Sequence, residues 1–206
     1  MELLITLRER RIYLVQGGAG NIAVYYIVDD DAGGILINTP TYHPELAAQL
    51  RALAKVNYLF FPSRFGAQDV DRWREAEIAE SLAYGAEARA ISGKIDLVLD
   101  QKSKLTRTID FLPMSGRTDG CCALRVRNLP GVVFFGPILT PGISGWPTLV
   151  AQEDDHSYEM RLIGSLGLQD IKYDYAFTDT FISGSTNFGP GADGAIQLEL
   201  KRILEL

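Results

Sequence analysis

Apolar and polar residues alternate along this chain in short blocks, and most of the blocks have the length of strands. Ile12–Val15 is a short apolar run that stops at Gln16-Gly17-Gly18-Ala19-Gly20-Asn21. Ile22–Val28 follows, rich in β-branched and aromatic residues, and the pattern predicts a strand. Asp29-Asp30-Asp31-Ala32-Gly33-Gly34 has the composition of a turn, and Ile35–Asn38 is a second strand closed by Thr39-Pro40, so the pair reads as a β-hairpin. Tyr58–Phe61, ended by Pro62, is a buried strand. Ala88–Ile91, Leu97–Leu99, Thr108–Leu112, Ala123–Arg127, Val132–Phe135 and Tyr173–Thr178 are further short strands.

Helical spacing appears in four places. Leu46, Leu50 and Leu53 predict a helix over His43–Val56, with Pro44 near its first turn where the missing N–H costs nothing. Trp73, Ile78 and Leu82 among charged residues predict a second over Gln68–Tyr84, with Gly85 as its stop. Ser157–Leu166 follows Glu153, Asp154 and Asp155, which read as caps and first-turn acids. Ile196–Leu206 closes the chain. Pro137–Pro147 and Phe181–Asp193 are loops by their Pro, Gly, Ser and Asn content. No linker, repeat or low-complexity segment divides residues 1–206, so one α/β domain is expected.

Composition narrows the chemistry. With 206 residues, 47% of them hydrophobic, the chain can build a core without disulfides or metals. A net charge of −6 argues against nucleic acid and anionic membrane as partners. No apolar run approaches the ~20 residues a bilayer requires. Met1–Gln16 has no signal-like apolar stretch, and the two Cys, 121 and 122, are adjacent, which disfavours a bridge between them. A cytoplasmic location is therefore expected. The residue type that limits function most is histidine, present only as His43 and His156.

Four segments, taken in order, resemble the metallo-β-lactamase superfamily. Gly20-Asn21-Ile22-Ala23-Val24-Tyr25 followed by Gly33-Gly34-Ile35-Leu36-Ile37-Asn38-Thr39-Pro40 is similar to that family's opening hairpin, with Asn38 where the family usually has Asp. Tyr58-Leu59-Phe60-Phe61-Pro62-Ser63-Arg64 is similar to the strand leading into its T-H-x-H-x-D-H metal motif. Leu112–Gly120 is similar to its P-G-H-T-x-G loop, and Val132–Pro137 to its V-L-F-x-G-D strand. The resemblance spans about residues 12–140 and implies a four-layer αββα sandwich.

The departures from the family pattern fall on the metal ligands. Ser63 stands at the first His, Phe65-Gly66-Ala67-Gln68-Asp69-Val70 contains no His, and Val70 takes the last ligand position of the longer loop variant. Arg117 replaces the His of the P-G-H-T loop, Pro137 the bridging Asp, and Thr178-Asp179-Thr180 is the best local match to the late His segment. Zinc requires three or four His, Cys or carboxylate ligands, and a guanidinium at one of those positions keeps its positive charge. Ser63, Phe65, Asp69, Val70, Arg117, Pro137 and Asp179 are thus expected as vestigial metal-pocket positions, with no metal and no cofactor. A guanidinium–carboxylate pair between Asp69 and Arg117 is one way to tie the two loops together. The alternative is that each faces solvent separately.

Other motifs point to structure. Gly17–Asn21 lacks a P-loop Lys and precedes a strand, so it reads as a hairpin turn. No G-x-S-x-G elbow is present. Cys121 and Cys122 read as packing residues, and His43 and His156 as surface or capping residues. The expected function is a non-catalytic binding, scaffolding or regulatory protein, with Arg64 and Arg117 as contacts for a small anion. The alternative is an atypical metallo-hydrolase with a reduced or partner-completed site. The expected partner is an unidentified small molecule or protein, and a homodimer is compatible with the sequence.

Overall fold

The computed structural model describes residues 1–205. Its first half lays down one sheet in sequence order. β1 (Glu2–Thr6), β2 (Arg10–Gln16), β3 (Val24–Asp29) and β4 (Gly33–Ile37) form an antiparallel meander. β5 (Val56–Phe61), β6 (Glu80–Tyr84) and β7 (Leu97–Leu99) then add in parallel, giving seven strands in the order β1 to β7. Parallel neighbours need crossovers. These carry α1 (Pro44–Leu53), α2 (Val70–Glu77) and α3 (Gly85–Ala90).

The second half builds a smaller sheet from β8 (Ile109–Pro113), β9 (Cys122–Val126) and β10 (Val132–Phe134). After β10 the chain makes a two-residue ribbon, β11 (Thr140–Pro141) with β12 (Pro147–Thr148), and then α4 (Tyr158–Leu166). It returns as β13 (Tyr175–Phe177), parallel to β10, so the order is β13-β10-β9-β8. α5 (Ala192–Leu204) follows.

Alternation along the strands decides the layering, because successive side chains leave a strand on opposite faces. Tyr25, Ile27 and Phe60 of the large sheet meet Leu124, Val132 and Phe134 of the small one in the central core. Their neighbours Tyr26, Leu59 and Phe61 face the other way, onto Leu50 of α1 and Trp73 of α2. Val133 and Phe135 likewise face Ile196 and Leu200 of α5. Three apolar layers between two sheets and two helical faces make the αββα sandwich. Trp73 is fully buried and its indole N–H donates to Pro40 O at 2.7 Å, so the one polar atom of the side chain is satisfied.

Two expectations about elements are corrected, and one strand is added. The helix over Gln68–Tyr84 ends at Glu77. Ile78 takes a left-handed backbone (φ +54°) with its side chain exposed, and Glu80–Tyr84 becomes the parallel strand β6. Ala88–Ile91 is not a strand; Gly85–Ala90 is helical, as its alanines favour. Glu2–Thr6 forms an edge strand that its mixed composition had hidden. Gly17–Asn21 is the connection between antiparallel β2 and β3, as expected. Among the described residues no helix is long and apolar enough to cross a membrane.

Candidate functional site

Loops from both sheets converge at one end of the sandwich and enclose a cleft of about 570 Å³. They are the β2–β3 connection, the segment after β5, the β8–β9 connection, the segment after β10 and the residues after β13. The loop cluster is held by backbone geometry that few residues tolerate. Gly136 has φ +60°, and a Cβ there would strike Pro62. Gly66 lies so close to Asn38 that a Cβ would collide with the amide. Asn38 itself is left-handed at φ +60°, a conformation that asparagine adopts more readily than most residues.

Asn38 is fully buried and donates through Nδ2 to Ala23 O (2.9 Å) and to Asp179 Oδ1 (2.8 Å). The two side chains are chemically matched. The amide supplies the N–H that a carboxylate accepts. Asp179 is further fixed by backbone bonds from its N to Gly136 O and from Ala23 N to its O. Tyr25 donates its hydroxyl to the neighbouring Thr178 O at 2.7 Å. The second oxygen of Asp179, Oδ2, has no hydrogen-bond partner, and neither has Asn38 Oδ1. Burial pushes the Asp179 carboxyl up to about 7, against the opposing pull of the Asn38 bond.

Arg117 forms the opposite wall. Its guanidinium lies 4.9 Å from the centre of the Phe65 ring. It also pairs with Asp154 at 3.0 Å and approaches Asp155 at 3.6 Å. Asp155 is shared with Arg161, a fully buried guanidinium that also donates to Ile138 O and Val150 O and so fixes the long segment after β10. Asp154 and Asp155 are therefore counter-ions and not the helix caps expected of them. Ser157 is the cap of α4, its hydroxyl accepting from Met160 N.

Of the vestigial positions, Phe65, Arg117, Pro137 and Asp179 line the cleft together. Ser63, Asp69 and Val70 do not. Ser63 is buried and accepts from Phe65 N to start the turn after β5. Asp69 accepts from Tyr42 N at 2.9 Å, which holds the start of α2 to the Pro40–His43 turn. Val70 packs with Trp73 in the helix-facing core. The Asp69–Arg117 pair does not form, because each side chain is committed to other partners.

A carboxylate that sequence reading missed makes the tie instead. Glu87 of α3, with its side chain fully buried, accepts from the Arg64 guanidinium at 2.9 Å, from Arg64 N and from Gly120 N. It joins the segment after β5 to the β8–β9 connection. Arg64 is spent on this contact and does not line the cleft. Burial pushes the Glu87 carboxyl up, but the Thr118 hydroxyl beside it and the Arg64 donors outweigh that, and the net direction is down. His43 is the exposed residue ahead of α1, and His156 is exposed with its ring 3.8 Å from Asp119. Both cysteines are buried, and burial pushes the Cys121 thiol up to about 12.

These side chains do not fit a zinc centre. Among the described residues no group of three or more His, Cys, Asp and Glu is placed to hold a metal ion. At the cleft the carboxyls are Asp179 and Asp154, the second already paired with Arg117, short of the three or four ligands zinc requires.

No protein-family model matches the sequence, and no curated protein matches it. Solved structures do. The chain aligns with the B3 metallo-β-lactamase BLEG-1 at a TM-score of 0.71 and 12% identity, covering 89% of this chain and 96% of that one. A metallo-β-lactamase of Cronobacter sakazakii with a HARLDQ motif gives 0.63 at 14% identity, covering 87% and 80%. BJP-1, a subclass B3 enzyme of Bradyrhizobium japonicum, gives 0.64 at 13% identity, covering 100% and 94%. The sandwich, its strand order and its loop-end cleft thus make this chain a metallo-β-lactamase fold, one whose loops lack the histidines of the metal motif.

Proposed function

We propose that this chain is a non-catalytic binding protein on the metallo-β-lactamase fold, with the loop-end cleft as its ligand site. One observation carries the reading. Arg117, at the place of a metal-binding His, is clamped over Phe65 and paired with Asp154, so a permanent cation occupies the wall from which a ligand to zinc would come. A guanidinium neither ligates zinc nor acts as a general base, since it stays protonated. The cleft has the size and mixed polarity of a small-molecule site, and its lining contains neither His nor Cys.

A second reading draws on the neighbour with a HARLDQ motif, a protein named as a lactamase although its motif contains Arg and Gln. That motif still spells a His and an Asp. Here the corresponding turn, Ser63 to Val70, offers only Asp69, and its carboxylate is engaged by Tyr42 N. A hydrolase on this scaffold would need ligands from a partner chain.

The test is to purify the chain from zinc-supplemented culture, measure metal by elemental analysis and assay β-lactam and ester hydrolysis. Substoichiometric metal with hydrolysis at the buffer rate is the expected result. Stoichiometric zinc, or hydrolysis abolished by a chelator, overturns it.

A further inference from the structure

The identity of the ligand's charge follows from which polar groups in the cleft are already satisfied. The charged residues lining it are Arg117, Asp154 and Asp179. Arg117 and Asp154 neutralise each other at 3.0 Å, and Asp155 adds a second carboxylate 3.6 Å from the same guanidinium. Asp179 is left without a counter-ion. It is more than nine-tenths buried, one oxygen is held by Asn38 and the other has no partner. Asn38, hydrogen-bonded to it, is fully buried and does not itself line the cleft. An unpaired acceptor with no unpaired donor beside it is a costly arrangement in a buried site, and an N–H group relieves it. Ile22, Phe65 and Pro137 offer apolar surface beside them.

We infer that the cleft is selective for a small organic ammonium ion whose N–H is received by the free oxygen of Asp179 and whose apolar body packs against Phe65 and Pro137. This inference rests on the binding reading above and reverses the charge expected from the sequence, where Arg64 and Arg117 pointed to an anion. Arg64 is spent on Glu87, and Arg117 is spent on Asp154. Ammonium binding needs the carboxylate form of Asp179, so it releases a proton and strengthens with rising pH. The titratable and charged groups near Asp179 are Tyr25 from β3, Cys121 ahead of β9, and Arg117 and Asp154 across the cleft. Burial holds both Tyr25 and Cys121 protonated through neutral pH, so Asp179 is the group that changes charge there.

Three probes of equal shape separate the alternatives: phenethylammonium, phenylacetate and 2-phenylethanol, each titrated into the full chain and followed by amide NMR shifts of the cleft loops. The expected result is a preference of tenfold or more for the ammonium over the other two, falling steadily from pH 8 to pH 6. Asp179→Asn keeps the shape and the Asn38 contact and is expected to erase that preference. Where that variant fails to fold, the wild-type pH series alone decides, because binding through a buried carboxylate must track its ionisation. Phenylacetate binding in the cleft as tightly as the ammonium overturns the ammonium inference and leaves the binding reading standing. Cleft shifts from none of the three probes overturn both. Ammonium binding that is flat in pH, or unchanged in a folded Asp179→Asn, overturns the assignment to Asp179.

Discussion

Glu87 and Asp179 are two buried carboxyls in one loop cluster, and their surroundings send them in opposite directions. Glu87 is met by the guanidinium and the backbone N–H of Arg64 and by Gly120 N. Asp179 has the single N–H of Asn38. Burial acts on both, yet the first lies below the ordinary carboxylate range and the second rises to about 7. The donors around Glu87 outweigh its burial, and the single donor to Asp179 does not. Glu87 is thereby a structural tie, and Asp179 is the group with unused capacity.

The largest loss of stability is expected at Glu87. Glu87→Ala leaves two loop N–H groups and the partly exposed Arg64 guanidinium without their acceptor, and a loss of about 3 kcal/mol in urea unfolding is expected. A loss below about 1 kcal/mol, the range of an exposed ion pair, would show that the tie between the two loops is not structural. Acid should weaken the same contact. A carboxyl with a lowered folded pKa adds stability that is present above its unfolded pKa and lost as the pH falls.

Asp179 should behave in the opposite sense. A raised folded pKa adds stability below the unfolded value near 3.9 and loses it as the pH climbs toward about 7. Asp179→Asn is therefore expected to be neutral near pH 4 and stabilising at pH 8, by up to about 4 kcal/mol at about 1.4 kcal/mol per pKa unit. Melting curves across that range check the crossover, and a variant equally stabilised at both ends would contradict it. Asn38→Asp sharpens the point. It sets two carboxyls side by side without a donor and should cost about 1–3 kcal/mol at pH 8 and much less at pH 5. The smallest effect is expected at Arg117→Gln, below about 1 kcal/mol by thermal unfolding, because its principal partner Asp154 is 68% exposed.

Much of the sandwich was legible because strand alternation is a local signal. Tyr25 and Tyr26, or Phe134 and Phe135, announce two buried faces by adjacency alone. The end of α2 was not legible. Nothing in Glu77-Ile78-Ala79 marks a stop, and the left-handed turn at Ile78 is imposed by the need to start a parallel strand beside β5. The candidate site was half visible. The resemblance located Phe65, Arg117, Pro137 and Asp179, which do share one cleft, but it could not supply partners. Glu87 sits in an alanine-rich stretch and its partners lie 23 and 33 residues away along the chain, beyond any periodicity. The expected Asp69–Arg117 tie follows from placing both residues at the family's metal pocket, and only Arg117 lines the cleft.

Strand order also sets a timetable for synthesis. The large sheet grows by neighbours, each strand pairing with the one just made, so residues 1–99 can assemble as they leave the ribosome. The small sheet must wait: β13 joins β10 only after some forty intervening residues have emerged, and Asp179 trails directly behind it. A nascent chain halted before residue 175 would hold most of the scaffold but no finished cleft, because the segment carrying Asp179 is still missing.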